Sequence, residues 1–330
     1  MGIQDIEHSP SFPQFRAKLR EIYSEIISLP SLVPSPETNA AFTKLIEFIS
    51  FPFDNSDSLH ASVLNTSDNL IATDLHRLCA EAEGNLESYW SRQLIKPPSN
   101  PTTSWFSLPK RYTRLPAPIS LEPFPYLQNY RSLVGLEVGL LRAVEAELNE
   151  VVFIGSGPLP LSSLILGRDH IGVESRRGWN VTSVDVDAPA LQQGAQLVAA
   201  ALGSSLSHPD DKRFNASHSS GTFTFLAESA LSPNLTQSLA KANVVFLAAL
   251  VGLDRASKIE IALHIISNMS AGAHLLMRSA EGLRMFAYPA APQEEIVKKA
   301  REQGTPVQLI MIAHPRNEII NSVVILKRVE

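Results

Sequence analysis

The stretch Val151-Val152-Phe153-Ile154-Gly155-Ser156-Gly157-Pro158-Leu159-Pro160 places four apolar residues directly before a glycine turn and a proline-led segment. It reads as a buried strand, a tight turn and the start of a helix. Downstream, short β-branched runs alternate with helical patterns, the signature of βα units on a parallel sheet. Strands are expected at Val151 to Gly155, Asn180 to Asp185, Thr222 to Leu226, Val244 to Ala248, His274 to Met277, Val307 to Ala313 and Ser322 to Leu326, the last two closing as a hairpin. Ser204 to Gly221 reads as a polar, mobile insertion.

Upstream the texture is helical. Phe15 to Leu29 and Asn39 to Ile49 carry apolar residues at spacings of three and four between prolines, and each predicts a short amphipathic helix. Asn69 to Leu94 aligns Leu75, Leu78, Cys79, Ala82, Leu86, Tyr89 and Trp90 on one stripe. Lys96 to Pro125 holds eight prolines and reads as a long connection draped over the surface. Tyr126 to Glu147 resumes a helix through Leu133, Leu136, Leu140, Leu141 and Val144.

The glycine turn points to a ligand. Gly155 and Gly157 let the backbone approach closely, and the N–H groups that follow suit a carboxylate such as that of S-adenosylmethionine. A nicotinamide dinucleotide would bring a third glycine where Pro160 stands. Ser156, Pro158 and Leu159 complete the turn. At the end of the second strand Asp185 is placed to accept from ribose hydroxyls, while Asp187 either shares that role or caps the helix starting near Pro189. Glu228 is a candidate for the adenine amino group, and Ala248, Ala249 and Leu250 are expected to line the pocket. Seven strands in this order match methyltransferase-like domains.

Composition narrows the partners. A net charge of -5 and a pI near 6.0 offer no basic field for nucleic acid, so small molecules are expected. No apolar run is long enough to span a bilayer. A single cysteine, Cys79, and a start without the apolar core of a secretory signal predict a cytoplasmic protein. The nine histidines are scattered without ligand spacing, so no metal is expected, and Ser156 lacks the nucleophile-elbow spacing of a hydrolase. Oligomeric state is left open.

Six stretches carry a resemblance: LCAEAEGNLE (Leu78 to Glu87), FPYLQNY (Phe124 to Tyr130), VVFIGSGPLPL (Val151 to Leu161), VVFLAALVGL (Val244 to Leu253), MRSAEGLRMFAYP (Met277 to Pro289) and HPRNEIINSVVI (His314 to Ile325). Through them the chain resembles the nicotianamine synthases, the fungal and plant members most closely. The resemblance covers residue 70 or so to the end, and the first sixty residues carry little of it. It implies condensation of three molecules of S-adenosylmethionine into nicotianamine and three of methylthioadenosine, with closure of an azetidine ring. It also implies a helical N-terminal domain that lids the reaction chamber. The expected fold class is therefore α/β, a Rossmann-like S-adenosylmethionine-dependent transferase domain (136–330) behind a helical N-terminal lid (1–135).

The sulfonium is electrophilic at three carbons, so positioning decides which group leaves. The attacking amine must be neutral, and a carboxylate that orients it and takes its proton serves that need. Glu81, Glu83 and Glu87 supply carboxylates; on a helix wheel Glu83 and Glu87 share a side and Glu81 points elsewhere. One of the three is expected to be the base, Glu87 or Glu81 ahead of Glu83, against the plain alternative of a solvated acidic face. Tyr130, with Tyr126 a turn earlier, is expected to hold the amine or a carboxylate of the intermediate. Arg278 and Arg284 are read as clamps for a substrate carboxylate, with pairing to Glu281 as the alternative. The rival functions are an ordinary small-molecule methyltransferase, a single aminocarboxypropyl transfer to another amino acid, and a binding protein without turnover.

Overall fold

The computed structural model describes residues 10–66, 68–96, 117–174, 178–210, 213–218 and 221–330. Most of the proline-rich connection, 97–116, lies outside them. Its described end runs over the surface with Leu121 and Phe124 as buried anchors in the main core, and the Ile119 N–H donates to Ala200 O at 3.1 Å.

Four helices open the chain: α1 (Phe12–Ile27), α2 (Pro36–Ser50), α3 (Ser56–Leu64) and α4 (Asn69–Ile95). Ser35 caps α2 by accepting the Thr38 N–H at 3.1 Å. The periodicity reading passed over α3, which is short and buries only Leu59, His60 and Val63. Phe15, Leu19, Leu45, Phe48, Leu75 and Leu78 join in one cluster that also takes Leu283, Phe286 and Ala287 from the far end of the chain. That cluster holds the N-terminal helices against the sheet domain.

The next helix, α5 (Leu127–Ala143), contains the boundary expected at 135/136. Val134 before it and Val138 and Leu141 after it all pack in the same cluster as Val151 and Phe153 of the sheet. A single rigid helix cannot be divided there, so α5 goes as a whole with the sheet.

The strands are β1 (Glu150–Ile154), β2 (Trp179–Asp185), β3 (Leu206–Asp210), β4 (Arg213–His218), β5 (Gly221–Ala227), β6 (Val244–Leu247), β7 (His274–Ser279), β8 (Val307–Ala313) and β9 (Ser322–Arg328). The helices between them are α6 (Leu161–Ile165), α7 (Gly172–Glu174), α8 (Ala188–Leu202), α9 (Thr236–Lys241), α10 (Arg255–Asn268) and α11 (Gln293–Glu302). Among the described residues the sheet has nine strands in the order β3-β4-β5-β2-β1-β6-β7-β9-β8. β5, β2, β1, β6 and β7 are parallel, and β9 runs antiparallel between β7 and β8. The seven expected strands form the methyltransferase-like core. The segment read as a mobile insertion instead supplies β3 and β4, an antiparallel extension in which Phe214 and Ala216 are buried against α8. Two apolar side chains spaced by one residue were the alternation that the polar composition masked.

From β1 the chain winds first toward β2 and β5 and then crosses to β6, so β1 and β6 flank the switch point of the sheet. Crevices at the carboxyl ends of such strands are where open α/β sheets take ligands. Among the described residues no helix is long and apolar enough to cross a membrane.

Candidate active site

β1 ends at Ile154, and Gly155 and Gly157 then adopt φ of +84° and +61°. The Gly155 and Ser156 N–H groups both donate to Val184 O, at 2.9 and 3.1 Å. Asp185 braces the rest of the turn: Oδ2 accepts the Gly157 N–H at 2.8 Å and Oδ1 accepts the Asp187 N–H at 3.0 Å. Asp187 takes the capping role, accepting the Ala190 N–H at 3.0 Å at the start of α8. Ser156 Oγ is buried and has no hydrogen-bond partner among the described residues. Pro158 is buried beside it, and Leu159 packs its side chain into the main core.

The segment after β6 packs onto the turn. A Cβ on Gly155 would stand 2.3 Å from Val251 Cγ2 and 3.1 Å from Ala248 Cβ, so only glycine admits this approach. Ala249 is buried, and its carbonyl accepts from Nζ of the buried Lys258 at 2.6 Å. Burial lowers the Lys258 ammonium to about 8. Leu250 is half-buried in the same segment.

The other wall comes from α4. Glu83 and Glu87, one turn apart, lie deep between the helical layer and the sheet while keeping part of their surface accessible, as groups lining a recess do. Glu87 Oε1 accepts from Tyr130 Oη at 2.9 Å, and Glu83 Oε1 accepts from Tyr288 Oη. The other oxygen of Glu87, Oε2, which has no hydrogen bond among the described residues, would lie 2.6 Å from a Cβ on Gly157. The helical layer thus touches the glycine turn through a carboxylate.

Burial raises the Glu87 carboxyl to about 8, helped by the neighbouring negative charge of Glu83 and opposed by the Tyr130 hydroxyl. Burial likewise raises Glu83 to about 7 against the hydroxyl of Tyr288 and the charge of Arg278. Both tyrosines are held well above their ordinary range by burial and by these carboxylates, so they remain donors.

Arg278 is buried behind these groups. Nε and Nη2 reach Glu137 Oε1 and Oε2 at 2.7 and 2.9 Å, Nη2 also reaches Ser162 Oγ at 2.8 Å, and the guanidinium lies 5.2 Å over the Phe153 ring. The clamp expected of Arg278 is therefore engaged within the protein, on Glu137, and the alternative pairing with Glu281 does not form. Glu281 is taken by Arg316 at 2.9 Å, with His314 at 3.6 Å.

Glu81, Tyr126 and Arg284 stand apart from this centre, whereas the Glu228 N–H donates to Asp185 O at 3.0 Å. Glu81 faces outward at 3.4 Å from Arg77. Tyr126 is exposed and meets Phe124 edge-on. Arg284 is no carboxylate clamp in this arrangement: its guanidinium donates to the carbonyls of Pro315, Asn317 and Ile319, at 2.6, 2.9 and 2.7 Å, and staples that loop. Glu228 accepts from Ser232 Oγ at 2.7 Å and Asn234 Nδ2 at 2.8 Å at the end of β5.

Two residues of the centre escaped the sequence reading. Glu137 occupies a core position of α5, between buried Val134 and Leu141, and an acid on an apolar stripe was its signal. Tyr288 lies within MRSAEGLRMFAYP, but nothing local distinguishes it from a packed aromatic; it meets Glu83 across 205 positions of sequence.

Comparison with known proteins identifies the family. The family described as "Nicotianamine synthase protein" matches residues 14–330, so the N-terminal helices belong to the match as well. The nicotianamine synthase of Solanum lycopersicum is 32% identical over 312 residues, covering 94% of this chain and 82% of that protein. Nicotianamine synthase 3 of Oryza sativa subsp. indica is 34% identical over 314 residues, with 94% and 77% covered. Among solved structures, MtNAS in complex with MTA and tNA superposes with a TM-score of 0.67 at 15% identity, over 97% of this chain and 98% of that one, which shows the shared fold. A glutamate-to-glutamine variant of MtNAS in complex with S-adenosylmethionine superposes with a TM-score of 0.66. The chain belongs to the nicotianamine synthase family, S-adenosylmethionine-dependent transferases of the aminocarboxypropyl group.

Proposed function

We propose that the recess between the glycine turn and α4 is the reaction chamber in which three molecules of S-adenosylmethionine become nicotianamine and three methylthioadenosines. The observation that carries this reading is the meeting of Glu87 Oε2 with Gly157, which puts a raised-pKa carboxylate against the turn suited to the donor. Ser156 Oγ, buried without a partner among the described residues, is a polar group left for such a ligand. Asp185 stands at the end of β2 for the ribose, and Glu228, Ala248, Ala249 and Leu250 border the adenine side.

S-adenosylmethionine supplies a sulfonium whose γ-carbon accepts a nucleophile. The protein's part is to choose that carbon and to ready the amine. Tyr130 occupies Oε1 of Glu87, so Oε2, the oxygen facing the turn, is the one left to take a proton from the amine. A carboxyl raised to about 8 is matched to an α-amine of about 7.7–8.0, which lets the proton cross without a large penalty. Arg278 is paired with Glu137, so the chamber becomes acidic as Glu83 and Glu87 ionise. Such a field favours the cationic donor over neutral methylthioadenosine and so helps each spent donor to leave.

The segment 10–96 serves as the lid in this reading, with α4 reaching from its own core into that of the sheet. The small-molecule partners are the substrates, and no metal takes part in the proposed chemistry. A cytoplasmic location accompanies the proposal, supported by a lone cysteine buried as a free thiol.

The deciding experiment is incubation of the purified protein with S-adenosylmethionine alone, followed by mass spectrometry. Methylthioadenosine and nicotianamine are the expected products. Silence until a methyl acceptor is added, with S-adenosylhomocysteine then formed, would establish a methyltransferase instead; methylthioadenosine released only with an added amino acid would establish single transfer.

A further inference from the structure

The chamber contains two carboxylate–tyrosine pairs where one base needs only one. Glu87 with Tyr130 stands against the glycine turn; Glu83 with Tyr288 stands one helical turn earlier on the same face of α4. The two tyrosines come from separate elements, Tyr130 from α5 and Tyr288 from the segment after β7, so each carboxylate is fixed independently. In both pairs the tyrosine hydroxyl takes Oε1, and among the described residues Oε2 has no hydrogen bond and is left for another group.

We infer that Glu83, held by Tyr288, is a second amine station that grips the neighbouring nitrogen of the growing acceptor while Glu87 readies the nitrogen that attacks. The dimensions agree. Four residues of helix separate the two carboxylates by about 6 Å along the axis, at about 1.5 Å per residue. In a chain built from aminocarboxypropyl units, successive nitrogens are joined through three carbons; four bonds of about 1.5 Å, extended, span about 5 Å. The helix thus repeats near the period of the product.

In the transfer step the amine at Glu87 gives its proton to Oε2 and forms the N–Cγ bond. The S–Cγ bond breaks with its electron pair staying on sulfur, which yields neutral methylthioadenosine. At Glu83 no bond changes: an ammonium donates a charge-assisted hydrogen bond to the carboxylate. The first transfer has no growing chain to hold, whereas the later ones do. Glu83 is therefore a positioning residue for the later transfers and for chain retention, and this inference rests on Glu87 being the base.

The test is the product partition of Glu83→Gln with S-adenosylmethionine as the only substrate. The ratio of single-transfer product to nicotianamine is expected to rise at least tenfold over wild type. Tyr288→Phe, which keeps the carboxylate but frees its rotation, should shift the ratio the same way more weakly, and decides the matter alone if Glu83→Gln does not fold. An unchanged ratio, with all products lowered together, would overturn the station and leave Glu83 a structural or basic group. A wild-type protein that released no methylthioadenosine would instead sink the reading of the chamber itself, and the station with it. Inhibition by 1,3-diaminopropane gives an independent readout. It should exceed that by propylamine in wild type and fall to the same level in Glu83→Gln; equal inhibition by the two amines in wild type would also overturn the proposal.

Discussion

Glu87 Oε2 occupies the space beside Gly157 so closely that a Cβ there would stand 2.6 Å from it. A residue of the helical layer and a residue of the sheet thereby share one small volume, and both halves of the site depend on it. Gly157 also has φ of +61°, where a side chain costs about 1–2 kcal/mol.

Gly157→Ala is expected to push the Glu87 carboxylate away from the turn as well as strain the backbone. Turnover should fall about tenfold or more, since a displacement of 1 Å in a reacting group is enough for that. Donor affinity by calorimetry and the thermal midpoint separate the two effects. A variant with normal midpoint and normal turnover would show that the contact has no role.

The ionised form of Glu87 is the base, so kcat/KM should climb through neutral pH and level off above about 8. Tyr130 holds that carboxyl down by donating to it. Tyr130→Phe should therefore move the limb to higher pH, in addition to lowering the plateau. A limb at the same pH in both proteins would assign it to the substrate amine rather than to Glu87.

Stability should carry the opposite signature. Glu87 and Glu83 are raised in the folded protein, to about 8 and about 7, while in the unfolded chain they ionise near 4.5. Between those limits the folded state holds more protons, so stability is highest below the unfolded pKa and falls as pH rises toward 8. Removing one ionisable group with Glu87→Gln should flatten this decline and raise the thermal midpoint at pH 8 by about 2–4 °C. Melting curves at pH 5 and pH 8 measure the difference; a variant less stable than wild type at both would contradict the raised carboxyl.

Glu137→Ala leaves the Arg278 guanidinium buried without its partner. Breaking such a pair costs about 3–5 kcal/mol, which denaturant titration will register. The unmatched cation should also draw Glu83 and Glu87 downward, since Arg278 already acts on both in that direction. The rate limb is then expected at lower pH than in wild type.

Arg284→Ala distinguishes a staple from a clamp. The guanidinium holds the carbonyls of Pro315, Asn317 and Ile319, so its removal should lower the thermal midpoint. KM for S-adenosylmethionine should change less than about threefold, because a lost bidentate carboxylate contact would cost far more. A large rise in KM at an unchanged midpoint would restore Arg284 to the substrate.

Much of this protein is determined locally. Four apolar residues running into Gly155-Ser-Gly157 mark a strand and a turn locally, because strand propensity and tolerance of positive φ are properties of the residues themselves, although β2 and β6 hold them in place. The 3.6-residue period likewise put Glu83 and Glu87 on one side of α4 and Glu81 on another. Tertiary structure alone decided which of those sides faced the glycine turn, that Arg278 would be met by Glu137, and that Tyr288 would arrive at Glu83. Those pairings join positions 141 and 205 apart, and they depend on how helices rotate and settle when the apolar clusters close, a many-body packing outcome that no single stretch of sequence encodes.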